Sequence, residues 1–349
     1  MSTLKVDGIR SNSATSDAIT LADNGTCTAN ITNNLSNRNK VINGAMAVHQ
    51  RDTSVTGITA SGYRTADRMH LSLANGGAWT NTISTDTPDG FARSYKLDCT
   101  TANTSLSGSN YVIFRTILEG YDLQDFAKGT SSAKKFTVSF YIKTNKTGTY
   151  VLELYDNNNA RHVNKTYTVS NTNWNRYTIS FPADTTGAFS NNNLASLYVG
   201  FWLAAGSDFT GGTTQTSWGS QTNANRAYGL NVNIADSTSN EWLITGIQLE
   251  VDHTGSGVAT EFEHRSYGQE LSLCQRYYYT LQGNDVSYLP TTDGGRSRIN
   301  LTFPTTMRSA PSGSMSNYTL STKIHGFTGY QSSGSTDVLY EGTFNAELS

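Results

Sequence analysis

Residues 241–279 read EWLITGIQLEVDHTGSGVATEFEHRSYGQELSLCQRYYY. Leu243, Thr245, Ile247, Leu249 and Val251 occupy alternate positions against smaller or polar neighbours, the period of a strand with two different faces. Gly255 and Gly257 then mark a turn. Beyond it, Leu271, Cys274, Tyr278 and Leu281 follow i, i+3, i+7, i+10, which lines one face of a helix within 268–281.

The strand signal continues upstream. Phe136, Val138, Phe140 and Ile142 alternate with Thr137, Ser139, Tyr141 and Lys143, which predicts a half-buried strand. YVLELY (150–155) follows, with a turn at Asp156-Asn157-Asn158-Asn159. Tyr177, Ile179 and Phe181 alternate again. LYVGFWL (197–203) is apolar on both faces and predicts a central strand covered on both sides. Strands at this spacing, joined by turn-rich connections with almost no helical periodicity, predict a two-sheet sandwich across 41–267. The pattern alone leaves jelly-roll and immunoglobulin-like strand orders open. Residues 286–349 return to strand and turn, including RINLTF (298–303), and about 70 residues make a marginal core on their own.

Residues 1–40 carry only short apolar runs: Leu4, Val6 and Ile9, then Ile19 and Leu21. A strand that cannot bury its own face must borrow one, so these residues are candidates for self-assembly or docking; a disordered polar tail is the other reading.

A chain of 349 residues has room for two or three domains at about 150 residues each. Charged residues are 15% and the net charge is −2, without the concentrated cationic face that nucleic-acid binding needs. No apolar run approaches the ~20 residues of a membrane-spanning helix. The first ten residues lack the charge and apolar pattern of a secretory signal. The three cysteines, Cys27, Cys99 and Cys274, are isolated, as in a chain folded in a reducing cytosol. Cys274 reads as a small core residue.

The 241–279 stretch resembles the domain junction of bacteriophage tail-fibre and other virion-appendage proteins, where ITGxQLEVG, ATPFExRxYG and ExxLCQRYY follow a jelly-roll domain. VINGAMAVHQR (41–51) and YRTADRM (63–69) resemble the opening of that jelly-roll. STLKVDGIRS and AITLADNGTCTANIT resemble the leaders of marine phage fibre proteins, and PTTMRSAPS (304–312) resembles a C-terminal tip domain. Here Asp252 stands for the usual Gly, residues 253–258 add a turn, and Glu261 replaces the usual Pro. The resemblance implies an all-β chain: an attachment segment (1–40), a jelly-roll β-sandwich (41–267), and a short helix leading to a β tip domain (268–349). It also implies a homotrimer located in the virion, on tail or capsid, and assembled in the host cytoplasm. Leu4, Val6, Ile9, Ile19, Leu21, Leu271 and Tyr278 would then serve attachment or oligomerisation, with virion tail or adaptor proteins as partners of the N-terminus.

Signatures of catalysis are missing from the sequence. The histidines show no HExxH, the cysteines no zinc spacing, and neither GxSxG nor GxxxxGK[ST] occurs. Glu119, Asp122, Glu153 and Asp156 fall near strand ends and read as solvated carboxylates rather than a glycosidase pair. Asp156, the following asparagines and Asp184 offer hard oxygens, so a structural calcium is conceivable, but no motif indicates one and no cofactor is expected. The segment 205–229 is long and polar and holds Phe209, Trp218 and Tyr228. Aromatic rings stack on the C–H faces of sugars, so Trp218, Tyr228 and Tyr288 are the candidate ligand residues. For Trp218 the competing reading is a residue that pins the loop to the sandwich. Trp79 and Trp202 read as core. The expectation is a non-enzymatic tail-fibre subunit recognising a host surface glycan. A capsid decoration or head-fibre protein without a ligand and a glycan-degrading tailspike are the alternatives.

Overall fold

The computed structural model describes residues 6–15, 17–21, 23, 27–29, 36–252, 255–281, 297–316, 318–331 and 341–348. The chain divides into two units, 1–38 and 39–349. In the first, β1 (Gly8–Ile9), β2 (Ile19–Leu21) and β3 (Cys27–Ala29) form a small antiparallel sheet in that order. Its apolar side chains do not close over one another: Val6, Ile9 and Leu21 are 38%, 52% and 40% exposed, and Ile19 is half-buried. Leu4 lies outside the described residues.

The second unit begins with thirteen strands. They are β4 (Ser54–Ile58), β5 (Gly62–Tyr63), β6 (Met69–Ala74), β7 (Ala78–Ser84), β8 (Ser94–Thr101), β9 (Tyr111–Glu119) and β10 (Lys135–Thr144). There follow β11 (Gly148–Asp156), β12 (Arg161–Val169), β13 (Asn175–Phe181), β14 (Ala195–Ala205), β15 (Gly219–Ser220) and β16 (Glu241–Asp252). The front sheet runs β13-β10-β16-β8-β7-β4 and the back sheet β15-β12-β11-β14-β9-β6-β5. The pairings nest around the β11–β12 hairpin: β10 pairs with β13, β9 with β14, and β8 with β16, so one long ribbon is wound into two sheets. That winding is the jelly-roll, which the alternation alone could not separate from an immunoglobulin-like order.

Phe136, Val138, Phe140 and Ile142 on β10 are fully buried between the sheets, as the alternation predicts. Phe140 meets Phe201 of β14 edge-on at 4.8 Å, and Phe114 of β9 meets Trp242 of β16 at 5.3 Å. The opposite face of β10 is also buried at Thr137 and Ser139, so the strand is not half-exposed there. Glutamine and glutamate side chains on the outer face of β16 hold the returning chain: Gln248 accepts from Glu263 N at 2.8 Å, and Glu250 accepts from Thr260 N at 2.9 Å. Gly246 has φ +64°, and a Cβ there would sit 2.8 Å from Phe91 and from Tyr141, so only glycine fits that kink.

The loop after β14 holds a single helical turn, α1 (Ser207–Thr210), and after the sandwich helix α2 (Tyr267–Gln275) starts at Ser266, whose Oγ accepts from Gln269 N. The helical spacing suggested a longer element; the helix stops at Gln275, and Tyr278–Leu281 is strand β17. The edge of β22 (Gly342–Asn345) supplies the reason, pairing Tyr278 with Asn345 and Leu281 with Gly342. Strands β18 (Ser297–Thr302), β19 (Ser312–Met315), β20 (Thr319–Lys323) and β21 (Gly326–Gln331) complete two small sheets, β17-β22-β19 and β18-β21-β20. Tyr279, Phe303, Phe327 and Phe344 form the centre of their core. This lobe is clamped to the sandwich: Arg276 forks onto Glu119 at 2.8 and 3.1 Å, and buried Arg68 pairs with Glu347.

Candidate functional site

The outer face of the back sheet is where unusual residues converge. Register pairs align Tyr63, His70, Arg115, Gly200, Glu153 and Asn164 in one row across β5, β6, β9, β14, β11 and β12. Paired residues of an antiparallel sheet share a face, so these side chains all point away from the core. The row is bounded on both sides. At one, Ile113, Trp202 and Val151 are covered by the loop after β14, through Phe209, Ala227 and Leu230. At the other, Ile117 and Tyr198 pack with Tyr277 and Leu348 of the C-terminal lobe. Between these covers runs a polar strip, notched only where buried Gly200 carries no side chain. A Cβ at Gly200 would meet nothing nearer than Ile113 at 3.5 Å.

Two guanidinium groups flank Gly200 and differ in their partners. Arg226 reaches in from the covering loop and forks onto Glu153 at 2.8 and 2.9 Å. Its Cζ also lies 5.2 Å from the Tyr155 ring centre and 5.3 Å from that of Trp202. Glu153 accepts further from Trp202 Nε1 at 3.0 Å and lies 3.1 Å from His162 Nδ1. Burial works against its charge, but Arg226 and the His162 contact outweigh it and hold the carboxyl below its usual range. Glu153 is therefore a fixed anion with no proton to give.

Arg115 is placed differently. Its Cζ sits 4.9 Å above the Tyr198 ring, and its Nε is buried without a hydrogen-bond partner. Burial pulls its pKa below the ordinary value, and the nearby Arg226 adds to that. His70, its register partner, lies edge-on to Tyr63 at 4.9 Å with Ser72 Oγ 3.0 Å from its Nδ1. Burial first, then Arg115 and Arg64, push the His70 pKa down to about 3, so it is neutral at physiological pH. The row and the loop over it thus bring Arg115 and Arg226 against the carboxylate of Glu153.

The sequence-derived candidates fall elsewhere. Trp218 is 8% exposed and sits in the sandwich core, donating from Nε1 to Pro182 O at 2.9 Å with Phe136 5.5 Å away. Its placement is that of a residue pinning the loop, not an open stacking platform. Tyr228 is exposed on the covering loop, two residues from Arg226. Tyr288 lies outside the described residues. Leu271 is half-buried and lines a cleft with His49, Gln50, Tyr267 and Pro304, while Tyr278 is buried with Arg51 3.6 Å from its ring centre. The row was missed as a site, and Glu153, read from the sequence as a solvated carboxylate, is buried. The signal was present in the strands themselves: Arg115 interrupts YVIFRTILE, Gly200 interrupts LYVGFWL, and Glu153 interrupts YVLELY.

The oxygens considered for calcium are engaged by a lysine. Lys128 is fully buried, with Nζ 2.5 Å from Asp156, 3.0 Å from Asp184 and 2.6 Å from Gly187 O. Among the described residues, no group of three or more His, Cys, Asp or Glu side chains is placed to hold a metal ion.

No family model and no curated protein matches the chain. Similar solved structures include a family 11 carbohydrate-binding module from Clostridium thermocellum in complex with a β-1,3-1,4-mixed-linked tetrasaccharide. Identity is 11% and the TM-score 0.28, over 60% of this chain and 98% of that one. Another is TmCBM61 in complex with β-1,4-galactotriose, at 7% identity and TM-score 0.29, over 62% of this chain and 99% of that one. A third, described as CBM4, has 10% identity and TM-score 0.30, over 60% of this chain and 98% of that one. At such scores the likeness carries no argument about ligand or topology; the jelly-roll rests on the strand pairings.

Proposed function

We propose that this chain is a non-enzymatic, glycan-binding subunit of a virion appendage, and that the saccharide seats in the notch over Gly200 on the back sheet. The observation that carries this reading is the register row itself: partly exposed Arg115 lies beside Gly200, a position without a side chain, with partly exposed Tyr63 two strands further along the row and Tyr155 two residues from Glu153. Saccharides bind through stacked C–H faces and directional hydrogen bonds, and tyrosines with guanidinium donors supply both. Against hydrolysis stands Glu153, the carboxylate of the notch, which is consumed by Arg226, Trp202 and His162. The small N-terminal sheet, with Ile9 and Leu21 exposed, supports attachment to copies of itself or to a virion adaptor. Three copies per fibre would convert weak single-site affinity into avidity.

Incubation with bacterial lipopolysaccharide tests the function. Retention without release of reducing ends is the expected result; release identifies an enzyme, and neither outcome identifies a structural protein without a ligand.

A further inference from the structure

We infer that the saccharide held in this notch carries a carboxylate, and that Arg115 is the residue that reads it. The inference rests on the glycan-binding reading above and adds the chemical class of the ligand. Arg115 and Glu153 lie on either side of Gly200, and Arg226, reaching Glu153 from the covering loop, provides the comparison. Arg226 has a counter-ion in Glu153. Arg115 has none: among the described residues no carboxylate lies within ion-pair distance of it and no hydrogen bond ends on its guanidinium. With its Nε buried and lacking an acceptor, the guanidinium has no protein anion to offset its charge, and an oxyanion meeting its part-exposed end would supply one. The planar fork of a guanidinium matches a carboxylate, and Tyr198 already holds its plane, so little side-chain freedom remains to be lost on binding. The neighbours do not compete. His70 carries no negative charge, and Glu153 is occupied by Arg226. Arg115 is itself part-exposed on this face, and that exposure gives a ligand access to its outer nitrogens.

The test uses the full chain, oligogalacturonides, and the same oligomers after reduction of their carboxyl groups to neutral alcohols. By titration calorimetry, the acidic oligomer should bind at least about tenfold more tightly than the reduced one, the scale of one charge-assisted hydrogen-bond pair. Arg115→Gln should abolish the difference between the two oligomers, so that the ratio of their affinities falls from at least about tenfold to about one. Arg115→Lys, which keeps the charge and loses the fork, should recover part of the preference; it also guards against a glutamine variant that fails to fold, which circular dichroism would reveal. Equal binding of acidic and reduced oligomers, or an acidic preference that survives Arg115→Gln, overturns the assignment. The notch itself is tested by Gly200→Val. If both oligomers bind equally and Gly200→Val abolishes both, the glycan reading stands and only the Arg115 assignment falls. If Gly200→Val leaves binding intact, or the wild type binds neither oligomer, the notch reading falls with it.

Discussion

Trp218 and Lys128 occupy neighbouring positions, with the ammonium 5.1 Å from the indole centre, and both are locked in place by burial. Trp218→Ala should cost roughly 3–5 kcal/mol, the range for removing a large buried aromatic side chain, measured by urea denaturation. A loss near zero would mean the ring serves a ligand and not the core. Lys128→Met leaves Asp156 and Asp184 buried with their shared cation gone; Arg161 still forks onto Asp184, but among the described residues no other cation pairs with Asp156. Breaking a buried pair by removing one partner costs about 3–5 kcal/mol, so the same assay should show a loss of that order. Asp67 gives a pH prediction. Burial outweighs Arg51 beside it and raises its carboxyl pKa to about 6. The folded state therefore holds the proton more tightly than the unfolded state does, and the contribution of Asp67 to stability falls as pH rises from about 4 through 6. Asp67→Asn has no such group, so its stability relative to wild type should climb across that window. A difference that stays flat from pH 4 to 7 would contradict the raised pKa.

At the level of elements, the strands were legible because their apolar side chains repeat every second residue over long runs, as in β10 and β16. The junction helix was legible in kind but not in extent. Leu271, Cys274, Tyr278 and Leu281 keep a helical period by coincidence, and pairing with β22, which is distant in sequence, takes Tyr278–Leu281 into a sheet. The candidate site was hardly legible at all. Arg115, Gly200 and Glu153 come from strands far apart in the chain, and only the register of β9, β14 and β11 places them side by side. What the sequence did show was an interruption in each of three apolar strands, a signal that acquires meaning once pairing is known. The same dependence on distant partners governs how α2 is seated. Glu270 on its first turn accepts from Asn43 N at 2.6 Å and pairs with Arg265 at 3.2 Å, tying the helix to the segment entering the sandwich. Glu270→Ala leaves a buried N–H and a guanidinium short of their acceptor, so a loss of about 1–3 kcal/mol is expected by thermal or urea denaturation. Leu271→Asp, one residue on but half-exposed, should cost less in the same assay.

For the molecule as a whole, the two units differ in what holds them together. The unit from Asn39 onward has a continuous core between its sheets and a second core in the C-terminal lobe. Among its described residues, the unit ending at Arg38 has short strands and exposed Val6, Ile9 and Leu21, too little buried apolar surface to hold a sheet of that size unaided. Copies of the same segment, each covering the apolar side chains of the next, would supply what is missing. Deleting residues 1–38 should therefore separate folding from assembly. The shortened chain should keep the urea midpoint of the full protein and sediment as a monomer, while the full chain sediments as a trimer. Ile9→Asp, which puts a charge on the exposed apolar surface without altering the second unit, should give the same monomer. If the full chain is itself a monomer, or if the shortened chain still forms trimers, the N-terminal strands are not the assembly element, and the three-copy avidity invoked for weak glycan sites loses its physical basis.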